Sequence, residues 1–280
     1  MIVTRFAPSP TGHLHLGHAY SALTAYRAAQ EMKGRFLLRI EDIDPVRCTP
    51  EFTKDILEDL SWLGLKWEEP VRRQSEYMAD YGEALDKLRG MGLLYPCFCT
   101  RGEVEAEIVA AGHAPHLKKQ GPDGPIYPGT CRGMLPEKRR QMMGERPAVW
   151  RIDMEKACAA AGTLVWRDRE KGVVQAHPEA FGDVVLARKD VPTSYHLSVT
   201  VDDELQGVTL ITRGMDLFRA TDVHRLLQAL LGYPSPEYYH HKLLVDESGK
   251  RFAKRDKAVT LRSLRESGKT PEDVRRMAGF

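Results

Sequence analysis

The sequence predicts an α/β protein built on a doubly wound parallel sheet, and two observations carry that expectation. Short apolar runs alternate with segments of helical periodicity through the first third of the chain, as strands joined by crossover helices do. The run "FLLRIEDID" (36–44) opens with consecutive apolar residues, which suits a strand covered by helices on both faces.

The elements follow in order. "IVTRF" (2–6) reads as the first strand and leads into the turn "PSPTGHLHLGH" (8–18). Leu16, Ala19, Tyr20, Leu23 and Tyr26 then recur at helical spacing until Gly34 offers a stop. After the second strand, Thr49 and Pro50 open a helix with Phe52, Ile56, Leu60 and Leu63 on one side, closing near Gly64. Ser75 is the expected cap of a third helix, with Met78, Tyr81, Leu85 and Leu88 inward. Beyond "LLYPCFC" (93–99) the pattern breaks, and residues 111–136, dense in Gly and Pro, read as an insertion that does not continue the sheet. From "AVWRID" (148–153) to "GVTLITRG" (207–214) short strands are expected. Helical periodicity returns at Thr221, taken as an N-cap, with Val223, Leu226, Leu227, Leu230 and Leu231, and ends at Gly232. "KLLVDESGKRFAK" (242–254) reads as a strand and a Ser-Gly turn before a basic loop.

Composition bounds the rest. A chain of 280 residues with 42% hydrophobic content can bury the core of one large or two modest domains. It has no run of 18 apolar residues, and "IVTRF" follows Met1 without the charged and apolar regions of a signal peptide, so a soluble cytoplasmic protein with no membrane partner is expected. Five cysteines, two of them one residue apart, fit metal binding or free thiols better than a disulfide framework. Net charge is +2, yet residues 241–280 carry 11 Lys and Arg against 6 Asp and Glu. That basic end either faces phosphates or is a solvated surface.

Two stretches carry chemistry. Gly12 and Gly17 have the separation of the glycines of a phosphate-binding P-loop, but His18 and Ala19 stand where Lys and Ser or Thr would be. At a strand-to-helix turn backbone amides point at anions, and His15 and His18 can donate to phosphoryl oxygens where charge grows in a transition state. The missing Gly-Lys-[Ser/Thr] weighs against a P-loop kinase. The second stretch is Cys97, Cys99 and Cys131, with His113 or His116 as natural fourth ligands and inert buried thiols as the alternative. Cys48 and Cys158 have no such partners and read as packing residues. A non-catalytic, zinc-dependent nucleic-acid binding module would account for the cysteines and the basic end, but not for the histidine turn.

"RFAPSPTGHLHLGH" (5–18) resembles the first signature of the class I aminoacyl-tRNA synthetases, the HIGH motif, as His15-Leu16-Gly17-His18 in the form of the glutamyl branch. "RIEDID" (39–44), "YHLSVTVDDELQGVTLITRG" (195–214) and "RFAKR" (251–255), at the place of the KMSKS loop, match that branch in order over most of the chain. The resemblance implies a Rossmann-type domain in two halves, 1–96 and 149–240, split by a small zinc-binding insertion at 97–148, with the loop and a basic segment in 241–280. It implies ATP and L-glutamate as substrates, with magnesium accompanying ATP although no dedicated ligand cluster is visible; a monomer is expected. By the same resemblance Arg5, Ala7, Ser9, Glu41, Tyr195 and Arg213 hold the glutamate, Arg213 by pairing with its side-chain carboxylate. His15, Gly17, His18 and Lys254 bind ATP, and His15, His18 and Lys254 stabilise its α-phosphate. The loop departs from its consensus at Arg251 and Ala253, so a role for Arg251 is not carried over. Tyr127 is implied as the fourth zinc ligand beside the three cysteines.

Within the branch, 26 residues after Lys254 are too few for an anticodon-binding domain of ordinary size. The resemblance is therefore to the short members, which activate glutamate without tRNA and attach it to queuosine in the anticodon of tRNA(Asp). Val199, where longer members are expected to carry Asn, and "RGMD" (213–216), in place of their "RAEE", agree. The alternative within the branch is a truncated enzyme that charges the 3′ end of tRNA(Glu).

Overall fold

Residue-by-residue burial sets the first half of the sheet. In the computed structural model, which describes residues 1–111, 120–244 and 259–280, β1 (Val3–Phe6) is buried at every position and hands over to α1 (Leu16–Glu31). Gly34 then lets the chain return against β1, because a Cβ there would lie 2.2 Å from the Ile2 carbonyl oxygen. β2 (Arg35–Ile40) pairs in parallel with β1. Thr49 caps α2 (Pro50–Trp62), its hydroxyl accepting from Phe52 N, and β3 (Glu68–Arg73) pairs in parallel with β2. α3 (Met78–Gly90) follows and leads to β4 (Leu94–Cys97).

From β4 the chain builds a separate antiparallel layer. α4 (Arg101–Ala111), the hairpin of β5 (Gln120–Gly121) and β6 (Gly124–Pro125), and α5 (Pro136–Glu145) precede β7 (Val149–Ile152), which pairs antiparallel with β4. After α6 (Met154–Ala161), β8 (Val165–Asp168) and β9 (Gly172–Gln175) form a hairpin, and β10 (Val185–Ala187) closes on β7. α7 (Tyr195–Leu205) returns the chain to β11 (Leu210–Gly214), α8 (Ala220–Leu231) crosses over, and β12 (Glu237–His241) lies in parallel between β11 and β8. α9 (Leu261–Glu266) and α10 (Pro271–Met277) end the described chain.

Thr209, just before β11, ties the halves together: its N–H donates to Val3 O at 3.0 Å and its hydroxyl accepts from Val3 N at 2.9 Å. Strand order thus reverses at β1 and β11, where doubly wound sheets place their ligand crevice. One apolar core packs α1, α2, α9 and α10 against the sheet; another packs α3, α6, α7 and α8. The protein is α/β with a parallel sheet, as the alternation predicts.

Several local expectations need correction. The second strand stops at Ile40, and residues 41–44 leave the sheet, with Glu41, Ile43 and Asp44 lining the crevice. Ser75 does not cap α3; its N–H and hydroxyl bind the Asp42 carboxylate, and the helix starts at Met78 without a side-chain cap. The stretch from 148 to 214 contains α6 and α7 as well as strands. The β-branched Val199, Thr200 and Val201 suggest a strand, but Ser194 caps a helix whose Asp202 and Asp203 turn inward to buried arginines. Thr221 lies inside α8, which begins at Ala220, and its hydroxyl faces the site. Among the described residues the last strand is β12, which ends at His241, and Lys242 to Leu244 lie outside any strand. Lys254 and the rest of "RFAKR", His113 and His116 lie outside the described residues.

Candidate active site

His15 ends the first loop in extended backbone (φ −121°) and is itself the N-cap of α1. Its Nδ1 accepts from Gly17 N at 3.1 Å, while His18 Nδ1 accepts from His15 N at 3.2 Å. The rings stack with centroids 3.8 Å apart. A ring nitrogen that accepts carries no proton, so both imidazoles hold theirs on Nε2 and are neutral donors. Gly17 leaves room for this stack, since a Cβ there would sit 3.1 Å from His15 Cε1, a tight approach.

Above them lies a cavity of about 450 Å³ lined by β1, the turn after it, Glu41, Tyr195 and the end of β11. It brings together His15, Gly17 and His18 on one side with Arg5, Ala7, Ser9, Glu41, Tyr195 and Arg213 on the other. A wider cavity of about 1140 Å³ shares Ser9, Glu41 and Tyr195 with it and runs toward Cys99 and Arg151.

The charged groups of the cavity have unequal partners. Arg5 is neutralised by Asp203, with Nε to Oδ1 at 2.8 Å and Nη2 to Oδ2 at 3.3 Å. Asp203 also receives Arg39 Nη1 at 2.8 Å, and although burial alone would raise its pKa, the two arginines hold it low. Glu41 accepts from Arg39 Nη2 at 3.2 Å, but its burial outweighs the arginines and its pKa is raised. Arg213, only 6% exposed, differs. Its Nε donates to His240 Nε2 at 3.1 Å, Nη1 meets His224 Nδ1 at 3.1 Å, and Nη2 donates to Thr221 Oγ1. Burial, and then the Arg213 charge, hold His240 down to about 4 and His224 well below the ordinary imidazole value. Among the described residues, therefore, Arg213 has neutral partners and no carboxylate in ion-pair contact. The sequence alone assigns no role to Arg39 and Asp203, which lie within the matched motifs, or to His224 and His240. The pairing of β11 with β12, which sets Arg213 beside His240, supplies the missing link.

With this geometry in view, the sequence matches the family described as "tRNA synthetases class I (E and Q), catalytic domain" over residues 1–279. The chain belongs to that family. This synthetase, a ligase, is 47% identical to a glutamyl-Q tRNA(Asp) synthetase of Rhodobacter capsulatus, with both chains covered in full. It is 39% identical to a glutamate–tRNA ligase of Aquifex aeolicus, of which it spans 55% while 97% of its own length is matched. The crystal structure of a glutamate tRNA ligase from Elizabethkingia meningosepticum in complex with its amino acid superposes with TM-score 0.83 at 26% identity. All of the synthetase is covered, and 60% of that chain.

The synthetase also has a cluster that could hold a metal ion. Cys97, Cys99 and Cys131 present sulfurs within 4.8 Å of one another. Cys99 and Cys131 Sγ are 3.6 Å apart, and Tyr127 Oη lies 3.3 Å from Cys97 Sγ and 3.5 Å from Cys99 Sγ. Tetrahedral zinc with bonds of ~2.3 Å to sulfur spaces its ligands at roughly 3.8 Å, so the cluster fits one ion. Burial and the neighbouring thiols push the Cys99 thiol up to about 12, a crowding that a bound cation relieves. Among the described residues Tyr127 stands next to these sulfurs. No described helix is long and apolar enough to cross a membrane.

Proposed function

We propose that this synthetase activates L-glutamate with ATP to glutamyl-adenylate without tRNA, and transfers the glutamate to queuosine in the anticodon of tRNA(Asp). The observation that carries the reading is Arg213, a buried guanidinium at the cavity wall whose partners are imidazoles and a hydroxyl. A side-chain carboxylate supplies the anion it lacks, whereas a glutamine amide leaves it unpaired, a difference of about 2–5 kcal/mol. Glu41 accepts from the substrate ammonium, and Arg5, Ala7, Ser9 and Tyr195 complete the pocket.

His15 and His18, donating from Nε2 at the head of α1, and Lys254 stabilise the α-phosphate as the glutamate carboxylate attacks it and pyrophosphate leaves. Gly17 lets the nucleotide approach, and magnesium arrives with ATP. Cys97, Cys99, Cys131 and Tyr127 hold one structural zinc ion. The wider cavity, with Arg47, Arg188 and Lys189 on its wall, has room for an acceptor nucleoside and its phosphates. The name of the Rhodobacter capsulatus relative supports queuosine on tRNA(Asp) as acceptor.

Exchange of labelled pyrophosphate into ATP tests this directly. Exchange with glutamate, not with glutamine, and without tRNA is expected, followed by transfer to tRNA(Asp) that carries queuosine and none to the unmodified tRNA. Exchange that appears only with tRNA(Glu) would instead favour charging of that tRNA's 3′ end. Silence under both conditions would remove the catalytic reading.

A further inference from the structure

Behind Arg213 stands a chain of buried groups, Asp168 and His240, that lines neither cavity. Asp168, at the end of β8, is 1% exposed, and His240 on β12 is fully buried. Asp168 Oδ1 accepts from Glu170 N at 2.9 Å and Lys171 N at 3.0 Å. Oδ2 accepts from His240 N at 3.2 Å and lies 2.8 Å from His240 Nδ1. A carboxylate only accepts, so the His240 proton must sit on Nδ1, leaving Nε2 as a lone pair. That lone pair takes the Arg213 Nε–H, and Thr221 Oγ1 lies 3.1 Å from it. Phe218 crosses the His240 ring at 5.0 Å and Trp166 at 5.5 Å, while Tyr238 stacks on it at 5.8 Å.

We propose that Asp168 and His240 are positioning residues for substrate selection: Asp168 fixes the His240 tautomer, and His240 thereby aims the Arg213 guanidinium at the substrate carboxylate. The proposal rests on the reading of Arg213 as the glutamate selector. Its physical content is that the wrong tautomer turns an acceptor into a donor facing Arg213 Nε–H. The depressed basicity of His240 agrees, because a protonated ring could not accept either.

Asp168→Asn tests it sharply. The amide oxygen can keep the Glu170 and Lys171 bonds, but the NH₂ then points at His240 N–H and Nδ1. Nδ1 must accept, the proton moves to Nε2, and it meets Arg213 head on. In pyrophosphate exchange the glutamate KM is expected to rise roughly tenfold or more while the ATP KM stays within about twofold. His240→Gln places an amide oxygen where Nε2 stood and can turn it to Arg213 whatever residue 168 is. The double variant Asp168→Asn/His240→Gln should therefore recover to within about threefold of the parent glutamate KM. An unchanged KM in Asp168→Asn, or an equal rise in the double variant, would overturn the proposal. If Asp168→Asn does not fold by its melting curve, His240→Phe keeps the ring without the acceptor; a comparable rise supports the proposal and an unchanged KM rejects it. Arg213→Ala runs in parallel. If it leaves the glutamate KM unchanged, the reading of Arg213 itself fails; if it raises KM while Asp168→Asn does not, only the relay fails.

Discussion

At the head of α1, His15 and His18 close a capping box with their own side chains, so one pair of residues both starts the helix and faces the cavity. Gly17→Ala would push a Cβ to 3.1 Å from the His15 ring and so disturb both tasks. The expected result is a loss of about 1 kcal/mol in denaturant stability, as for a lost cap, together with a fall in the exchange kcat larger than that loss explains. A variant that loses only stability would separate the stack from catalysis. Two imidazoles, the half-buried His196 and the fully buried His240, make a second prediction at this scale. His196 and His240 titrate at about 4 in the fold, through burial first and the Arg213 charge second. Against an unfolded value of about 6.5, the unfolded chain takes up those protons first, so stability falls as pH drops from 6.5 toward 4, by about 2 kcal/mol per histidine at pH 5. Glu41 and Asp59, raised by burial, titrate with the opposite sign and offset part of this. The melting temperature should fall between pH 7 and 5, and His196→Gln should flatten the slope; an unaltered slope would reject the assignment. The motif residues were legible because their chemistry is written in contiguous spacing. His240 was not, because 27 residues separate it from the arginine it serves.

Among the elements, α7 shows how tertiary electrostatics overrides local preference. Its β-branched middle reads as a strand, yet its inward face carries Asp202 and Asp203, which bind arginines from β1, β2 and β3. Asp203 accepts from Arg5 and Arg39, and Asp202 from Arg72, Gln74 and Tyr81. These contacts fix the helix that carries Tyr195 against the strands that carry Arg5 and lead to Glu41. Asp203→Ala would leave the buried Arg5 guanidinium without its carboxylate, while Arg39 keeps Glu41 and Asp202, and a loss of about 3–5 kcal/mol is expected. Urea unfolding measures it, with the midpoint falling at constant slope; a shift below about 1 kcal/mol would mean that the network carries little of the docking energy. Thr49, by contrast, was legible as a cap because capping needs only the next few residues.

On the scale of the whole molecule, alternation revealed the sheet, whereas the neighbour order did not follow from it. The meeting of β1 with β11 depends on contacts between residues far apart in sequence, such as Thr209 N–H with Val3 O and Val3 N–H with the Thr209 hydroxyl, and this seam creates the cavity. The cysteine cluster is likewise a long-range product. β4 delivers Cys97, its continuation delivers Cys99, and the turn after the β5–β6 hairpin delivers Tyr127 and Cys131. Cys99 also lines the wider cavity that shares Ser9, Glu41 and Tyr195 with the smaller one, so an ion there would brace a wall next to the site. The purified protein is expected to carry one zinc ion per chain by elemental analysis, and Cys131→Ser to carry none and melt lower. Tyr127→Phe separates ligation from packing, since its ring keeps the Arg151 guanidinium 3.9 Å above it while the oxygen is lost. If Oη ligates, zinc affinity falls about tenfold or more, beyond the drop in apo melting temperature that losing the Cys131 N–H bond to Oη itself causes. If affinity is unchanged, the ion takes its fourth ligand elsewhere, and a zinc-free parent whose melting ignores a chelator would return the three thiols to packing.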